Sequence, residues 1–199
     1  YISIISIVGY GKIFQKVFLN NINYDEDVTI YLGFYGIMLI TLLSLFTSFF
    51  LKHNFYHNII VHLIGIFYFF YFPLKQNSKF YKIIIYISIF LIPILLISKT
   101  HDDFSFYHYP FTKFLTEHHV IFGMGNINTG YNFLSSLFFL NSTFYLPFIK
   151  LYSFHFTIIS FLLFFNYFLL IKIFSLKTHE FFKYFYLLIF VFFNLSFNR

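Results

Sequence analysis

Cysteine, alanine and tryptophan are missing from this chain, and arginine occurs once, at Arg199. The absence of Cys excludes disulfides and thiolate metal sites, and leaves the redox compartment open. Charge is the next shortage. Only 10% of the 199 residues are Asp, Glu, Lys or Arg, whereas a soluble domain carries about 25%. Tyr1 already lies inside an apolar run, with neither a charged leader nor a cleavage site of a signal peptide. The chain therefore reads as a fragment of a longer polytopic protein. The HExxH spacing of a zinc protease does not occur. The glycine pattern from Gly123 departs from the dinucleotide fingerprint at Asn128, and no soluble strand precedes it.

What is present is mostly apolar. The composition is 59% hydrophobic and 28% aromatic, with a mean hydropathy of +0.77. Repeated long apolar runs at that hydropathy indicate an all-α, polytopic integral membrane protein in the lipid bilayer. The net charge of +6 then reports topology and is no argument for nucleic acid. Phe, Ile, Tyr, Asn and Lys all have AT-rich codons, so a Phe at a given position says little beyond apolar.

About six spans are represented in one transmembrane domain. Tyr1 to Val8 is the tail of a first span, which Gly9-Tyr10-Gly11 is expected to break before an interfacial stretch from Lys12 to Asn20. Val28 to Leu51 carries no charge and exceeds the about 20 residues that a ~30 Å hydrocarbon core requires. Gly33 and Gly36 either let a neighbour approach or are merely tolerated. Ile59 to Phe72 spans only if Phe55 and Tyr56 join it, and its His62 reads as a helix–helix hydrogen bonder. Phe80 to Ser98, with a kink expected at Pro93, Leu151 to Ile171, and Phe182 to Phe197 complete the set. His155 and Asn166 share a helix face, which suggests interhelical packing.

Tyr131 to Ile149 is different, because Asn, Ser, Thr and Pro interrupt it seven times. It reads as interfacial or re-entrant and packed on protein. With that segment uncrossed, Lys12, Lys16, Lys75, Lys79, Lys82, Lys172, Lys177 and Lys183 face the cytoplasm. Lys52, Lys99, Lys113 and Lys150 face out, as the positive-inside rule requires. The exoplasmic loop then covers about 99–150.

That loop concentrates the ionisable groups. His101 to Gly130 holds Asp102, Asp103 and Glu117, with His101, His108, His118 and His119. Adjacent carboxylates at a turn can bind a divalent cation through oxygen, or one can act as a base. The competing reading is that Asp102 and Asp103 cap a helix starting near Phe104. His101 and His108 flank them as ligands or acid–base groups. Pro110 suits a first helical turn, and Phe111, Phe114, Leu115 and His118 then share one face of a short amphipathic helix on the membrane surface. Glu117, His118 and His119 read as a solvated helix end or as metal ligands. Gly123 to Gly130 reads as a polar hinge whose N–H groups can hold a phosphate.

His101-Asp102-Asp103, Tyr107-His108-Tyr109-Pro110, Gly123 to Gly130 and Ser135-Ser136 together resemble a stretch of bacterial polytopic proteins placed with the GT-C glycosyltransferases. The resemblance covers about 99–150. It implies an exoplasmic catalytic acid residue beside a spanning helix, here Asp102 or Asp103, and polyprenyl-phosphate-linked sugar donors. It also implies a place in the bacterial inner membrane and a role in the cell envelope. At least three spans precede the loop here, where that family usually has one. The expected site has Asp102 and Asp103 as catalytic residues and as metal ligands. His101, Tyr107, His108, Glu117 and His118 are expected to contact the substrate.

Sugar transfer from a lipid-linked donor is thus the expected function. A transporter or flippase of lipid-linked glycans is the alternative, although Val28–Leu51, Phe80–Ser98 and Leu151–Ile171 contain no Asp or Glu and ion-coupled carriers place ionisable groups at membrane depth. A non-catalytic membrane subunit is the third reading. The topology is open to a direct check in this Cys-free chain. With Asn77→Cys, Asn126→Cys and Thr178→Cys made singly, an impermeant thiol reagent added outside should label only position 126. Labelling at position 178 would mean that Tyr131–Ile149 crosses.

Overall fold

The computed structural model describes residues 1–19, 26–72, 78–96, 103–132, 135–149, 153–175 and 178–196. Among these the chain is helical, without strands. The helices are α1 (Ile2–Phe18), α2 (Glu26–Ser48), α3 (Phe55–Tyr71), α4 (Ser78–Leu96), α5 (Tyr109–Glu117), α6 (Ser136–Phe144), α7 (His155–Phe174) and α8 (Glu180–Ser196). Helices satisfy their own backbone groups, which an apolar environment demands of such apolar runs. By length and composition, two of them can cross a membrane, at Tyr31–Ser48 and His155–Phe174. Phe55–Tyr71 and Lys82–Ile92 are apolar but shorter.

α1 lies at the centre, packed between α2 and α3. It does not break at Gly9-Tyr10-Gly11 as expected; it runs through them. The reason is contact. A Cβ on Gly9 would strike the Gly65 carbonyl of α3, and one on Gly11 would strike the Leu32 carbonyl of α2. Gly36 of α2 faces the Ile7 carbonyl in the same way, and Gly33 lies under the Phe164 ring of α7. These glycines buy backbone-to-backbone approach, and the packing outweighs their poor helix propensity. The contacts Ser6–His62, Gly9–Gly65 and Lys12–Phe69 run in the same order along both helices, so α1 and α3 are parallel. Gly11–Leu32 and Ile7–Gly36 run in opposite order, so α2 is antiparallel.

Several polar groups inside the bundle are paired, whereas Asn141 Oδ1 and Thr157 Oγ1 are buried without a hydrogen-bond partner among the described residues. His62 meets the Ser6 hydroxyl at 3.2 Å, in the helix–helix role expected of it. Asn166 and Asn194 exchange side-chain hydrogen bonds of 3.0 and 2.8 Å between α7 and α8. Lys12, counted among the cytoplasmic lysines, is not free in solvent. It is buried, and its ammonium donates to the Phe69 and Phe72 carbonyls at 2.7 and 3.0 Å, capping the C-terminal end of α3. The Phe69 ring lies 4.1 Å from that ammonium.

α6 has nine residues, about 14 Å of helix at 1.5 Å per residue. That is roughly half of a ~30 Å hydrocarbon core, in keeping with the reading that Tyr131–Ile149 does not cross. It packs on α2, α5, α7 and α3. The connection between α2 and α3 lies at the same end. There the His53 N–H donates to the Leu115 carbonyl and the Val120 N–H to the Ser48 carbonyl, both at 2.8 Å. The candidate loop and the α2–α3 connection therefore share one end of the bundle.

The glycine contacts set a stability expectation. Gly9→Ala or Gly36→Ala should each cost about 1–3 kcal/mol, the usual penalty for overpacking, read as a lower Tm in detergent. An unchanged Tm in both variants would show that the close approach is dispensable.

Candidate functional site

Pro110 governs the local geometry. It has no N–H for the Phe106 carbonyl, and its ring crowds that carbonyl in a regular α-helix. The chain forms a π turn, Phe104–His108, in which the Tyr109 N–H reaches back five residues to the Phe104 carbonyl. α5 follows directly, with Pro110 in its first turn as expected. Such wide turns are rare and occur frequently at functional sites. Asp103 heads the turn. Its backbone is already helical, φ −69° and ψ −12°, and its side chain makes no capping hydrogen bond there among the described residues. A capping side chain needs extended backbone to reach the free N–H groups, so the capping reading of Asp103 fails. His101 and Asp102 lie outside the described residues.

Tyr107 and His108 meet edge to face with ring centroids 4.4 Å apart. His108 lies 5.0 Å from the Phe138 ring and Tyr107 6.2 Å from it. Tyr107 also rests on Gly130, where a Cβ would stand 2.7 Å from its Cγ. The Tyr-His pair, the glycine-rich loop and the start of α6 thus converge. That loop is folded into two 3₁₀ turns, Met124–Asn126 and Thr129–Asn132. Gly123, at φ +88°, holds the left-handed position that starts it.

The buried face of α5 is Phe111, Thr112, Leu115 and Thr116, not the expected Phe111, Phe114, Leu115 and His118. Thr112 and Thr116 tolerate burial because their hydroxyls donate to the His108 and Lys113 carbonyls, at 2.8 and 2.7 Å. His118 and His119 are exposed. Glu117 makes a 3.9 Å surface pair with Lys113. The solvated-end reading holds for this trio. Beside α5 opens a pocket of about 590 Å³, floored by Leu45, Phe111 and Phe139 and rimmed by Phe49, Phe122 and Asn132. Phe111 and Phe139 belong to the same apolar cluster as Tyr107 and Tyr131.

A second polar group lies at this end, and the sequence did not suggest it. His53 and Ser142 are fully buried. His53 Nδ1 lies 2.6 Å from Ser142 Oγ, and His53 Nε2 lies 3.0 Å from Thr47 Oγ1. Thr47 Oγ1 is also 3.2 Å from His57 Nε2, and His57 Nδ1 is 3.1 Å from Asn58 Oδ1. Asn58 closes the ring by donating to the Ser142 and Tyr145 carbonyls, at 2.9 and 3.0 Å. The two imidazoles stack with centroids 4.5 Å apart and planes 8° apart. Burial pushes the His53 imidazole down to about 3; the His57 charge adds to this, and the Ser44 carbonyl works against it.

The chain belongs to the family described as Domain of unknown function (DUF8201). That family's model matches residues 1–198, so the family covers both groups at this end. No curated protein and no solved structure matches the chain.

Of the expected site residues, the fold brings together Tyr107 and His108, in the turn headed by Asp103, and leaves Glu117 and His118 in solvent. Among the described residues no three His, Asp or Glu side chains form a metal-binding group. The signal for the missed group was there: His53, Asn54, His57 and Asn58 crowd a short connection, and Ser142 and Thr143 interrupt an apolar segment.

Burial of His53 predicts acid sensitivity. The unfolded chain protonates this residue below about pH 6.5, whereas the folded chain leaves it neutral to about 3. Its contribution to stability is complete above about 6.5 and falls with pH below that, by up to ~1.4 kcal/mol per pH unit. The Tm in detergent should drop between pH 7.5 and 5, and the drop should be smaller in His53→Gln. Equal acid sensitivity in that variant would place the titrating group elsewhere.

Proposed function

We propose that this chain is part of a polytopic membrane enzyme that transfers a sugar from a polyprenyl-phosphate-linked donor at the exoplasmic face. In this reading α1, α2, α3, α4, α7 and α8 are the six membrane segments. The α5–α6 region, with the α2–α3 connection, stands on the exoplasmic side in accord with the lysine distribution.

One observation carries the reading. The turn headed by Asp103, the Tyr107–His108 pair and the glycine loop meet at one end of the bundle, and their apolar cluster lines an open pocket. A carboxylate at such a boundary suits a general base for an acceptor hydroxyl. The apolar pocket suits a prenyl chain. The carboxylate oxygens of Asp102 and Asp103 are also the donor type for a hard divalent cation, which when bound supplies charge neutralisation for a donor phosphate. In this reading His108, packed on Tyr107 and Phe138, orients polar substrate groups.

The test is made on the full-length protein in cells lacking the native copy, with a surface glycan as readout. Asp102→Asn or Asp103→Asn should lower transfer ~10²–10⁴-fold, the usual cost of a lost general base, at unchanged protein level and Tm. If both variants keep full transfer, or lose it only in step with protein level, the catalytic assignment is wrong and a carrier or a non-catalytic subunit becomes the better account.

A further inference from the structure

The pocket beside α5 has walls of two kinds. Phe49 of α2 and Phe122 stack with ring centroids 6.2 Å apart, and Ile121 lines the pocket next to them. Leu45, Phe111 and Phe139 make the floor. Apart from Tyr131, the polar side chains that line the space among the described residues are Asn126, Asn132 and Ser136, and all three are exposed. At about 590 Å³ the pocket falls among those that take small molecules, of about 300–1,000 Å³. Its floor is apolar, and its Asn and Ser groups stand at the mouth.

The depth of this pocket follows from α2. Among the described residues, Tyr31–Ser48 is one of two segments long and apolar enough to cross a membrane, and Leu45 lies in its last turn. The Val120 N–H bond to the Ser48 carbonyl, 2.8 Å long, straps the pocket loop onto that turn. Met38, Leu42, Phe46 and Phe49 recur at helical spacing on one face of α2, and all four are exposed. Phe46 is 65% exposed and Phe122 87%. The apolar stripe of α2 thus runs directly into the apolar wall of the pocket, and no polar residue interrupts it. A contiguous exposed apolar surface of this kind marks an interaction site, and on a crossing helix its cover is lipid. α5 does not supply that cover, because Phe111 and Leu115 are turned into the protein.

We propose that this pocket opens sideways into the adjoining membrane leaflet and holds one acyl chain of a bilayer phospholipid, whose phosphate group rests at the polar mouth. The residues around the mouth have the charge for it. Lys52 follows the exposed Phe50 and Leu51, and His118-His119 come just before Ile121 and Phe122; all three polar side chains are exposed. Lysine ammonium, imidazole and amide N–H groups are donors for a lipid phosphate. An acyl chain matches the rest, since the Phe49–Phe122 wall is continuous with the surface that lipid covers on α2. The site holds whether or not the protein transfers sugars. A prenyl-linked donor would enter by the same side and displace the acyl chain.

The chain contains no Trp, so a single introduced Trp reports its own surroundings. Phe46→Trp, Phe122→Trp, Phe139→Trp and Phe144→Trp are made singly in the full-length protein. Each is placed in nanodiscs of phosphatidylglycerol and phosphatidylcholine with plain or brominated acyl chains, and emission is read over that of the unsubstituted protein. Bromine quenches an indole only at close range. Phe46 marks the α2 stripe, Phe139 the pocket floor, and Phe144, buried in the core outside the pocket, a sealed interior. Phe122→Trp and Phe139→Trp should lose emission in brominated lipid as Phe46→Trp does, while Phe144→Trp keeps its emission. Iodide added to the water should leave Phe122→Trp unquenched. Quenching of Phe122→Trp by iodide and not by bromine puts the mouth in water and overturns the proposal. A quenched Phe122→Trp with an unquenched Phe139→Trp means that no chain enters, and overturns it too. Tyr131→Trp, which also lines the pocket, gives the same reading if Phe139→Trp fails to fold. Glycan transfer plays no part in these outcomes, so the lipid site and the sugar-transfer reading fail separately.

Discussion

α1 touches its neighbours through backbone, and the rest of the bundle is arranged around that fact. Gly9 meets the Gly65 carbonyl, Gly11 the Leu32 carbonyl, and Gly36 the Ile7 carbonyl. Small residues at these positions let the backbones approach, and the gain is close packing that larger side chains would prevent. Contacts of this kind also fix register, since sliding by one residue would drive a side chain into a carbonyl. With α1, α2 and α3 locked in register, the α2–α3 connection has one position. That connection presents His53 to Ser142 and Leu115, and so holds α5 and α6.

The bundle thereby separates two environments. Along the helices, polar side chains appear singly and some are satisfied in pairs, as with His62 and Ser6 or Asn166 and Asn194. At the end that carries α5 and α6, they appear in numbers. Ser44 and Thr143 share a 2.6 Å bond, and Asn58, His53 and Ser142 are all fully buried. Burying such groups is costly unless each finds a partner. Here the partners come from three different helices, which ties α6 to the bundle more firmly than its nine residues of apolar packing alone. The apolar pocket and the turn headed by Asp103 sit on this anchored platform, which gives the proposed chemistry a rigid support.

Much of this could be read from the residues alone. Apolar length placed the long helices, because a run of that kind must satisfy its backbone internally whatever it packs against. The cluster of ionisable groups between His101 and Gly130 marked the polar end, since such groups gather where water reaches. The polar interruptions of Tyr131–Ile149 marked a segment that forms only the nine-residue α6, and Pro110 marked the start of α5.

Other features depend on neighbours that are distant in sequence, and only the tertiary structure decided them. Gly9 and Gly11 looked like a helix break because helix propensity is local, whereas the contacts that keep α1 intact come from α2 and α3. The buried face of α5 turned toward Thr112 and Thr116 because their hydroxyls can bond the preceding turn, which hydropathy does not register. The side of the bundle on which Lys12 lies was open to a charge count, but the α3 carbonyls that hold its ammonium were not. His53 and Ser142 are 89 residues apart. No pattern in the chain joins them; the register of three helices does.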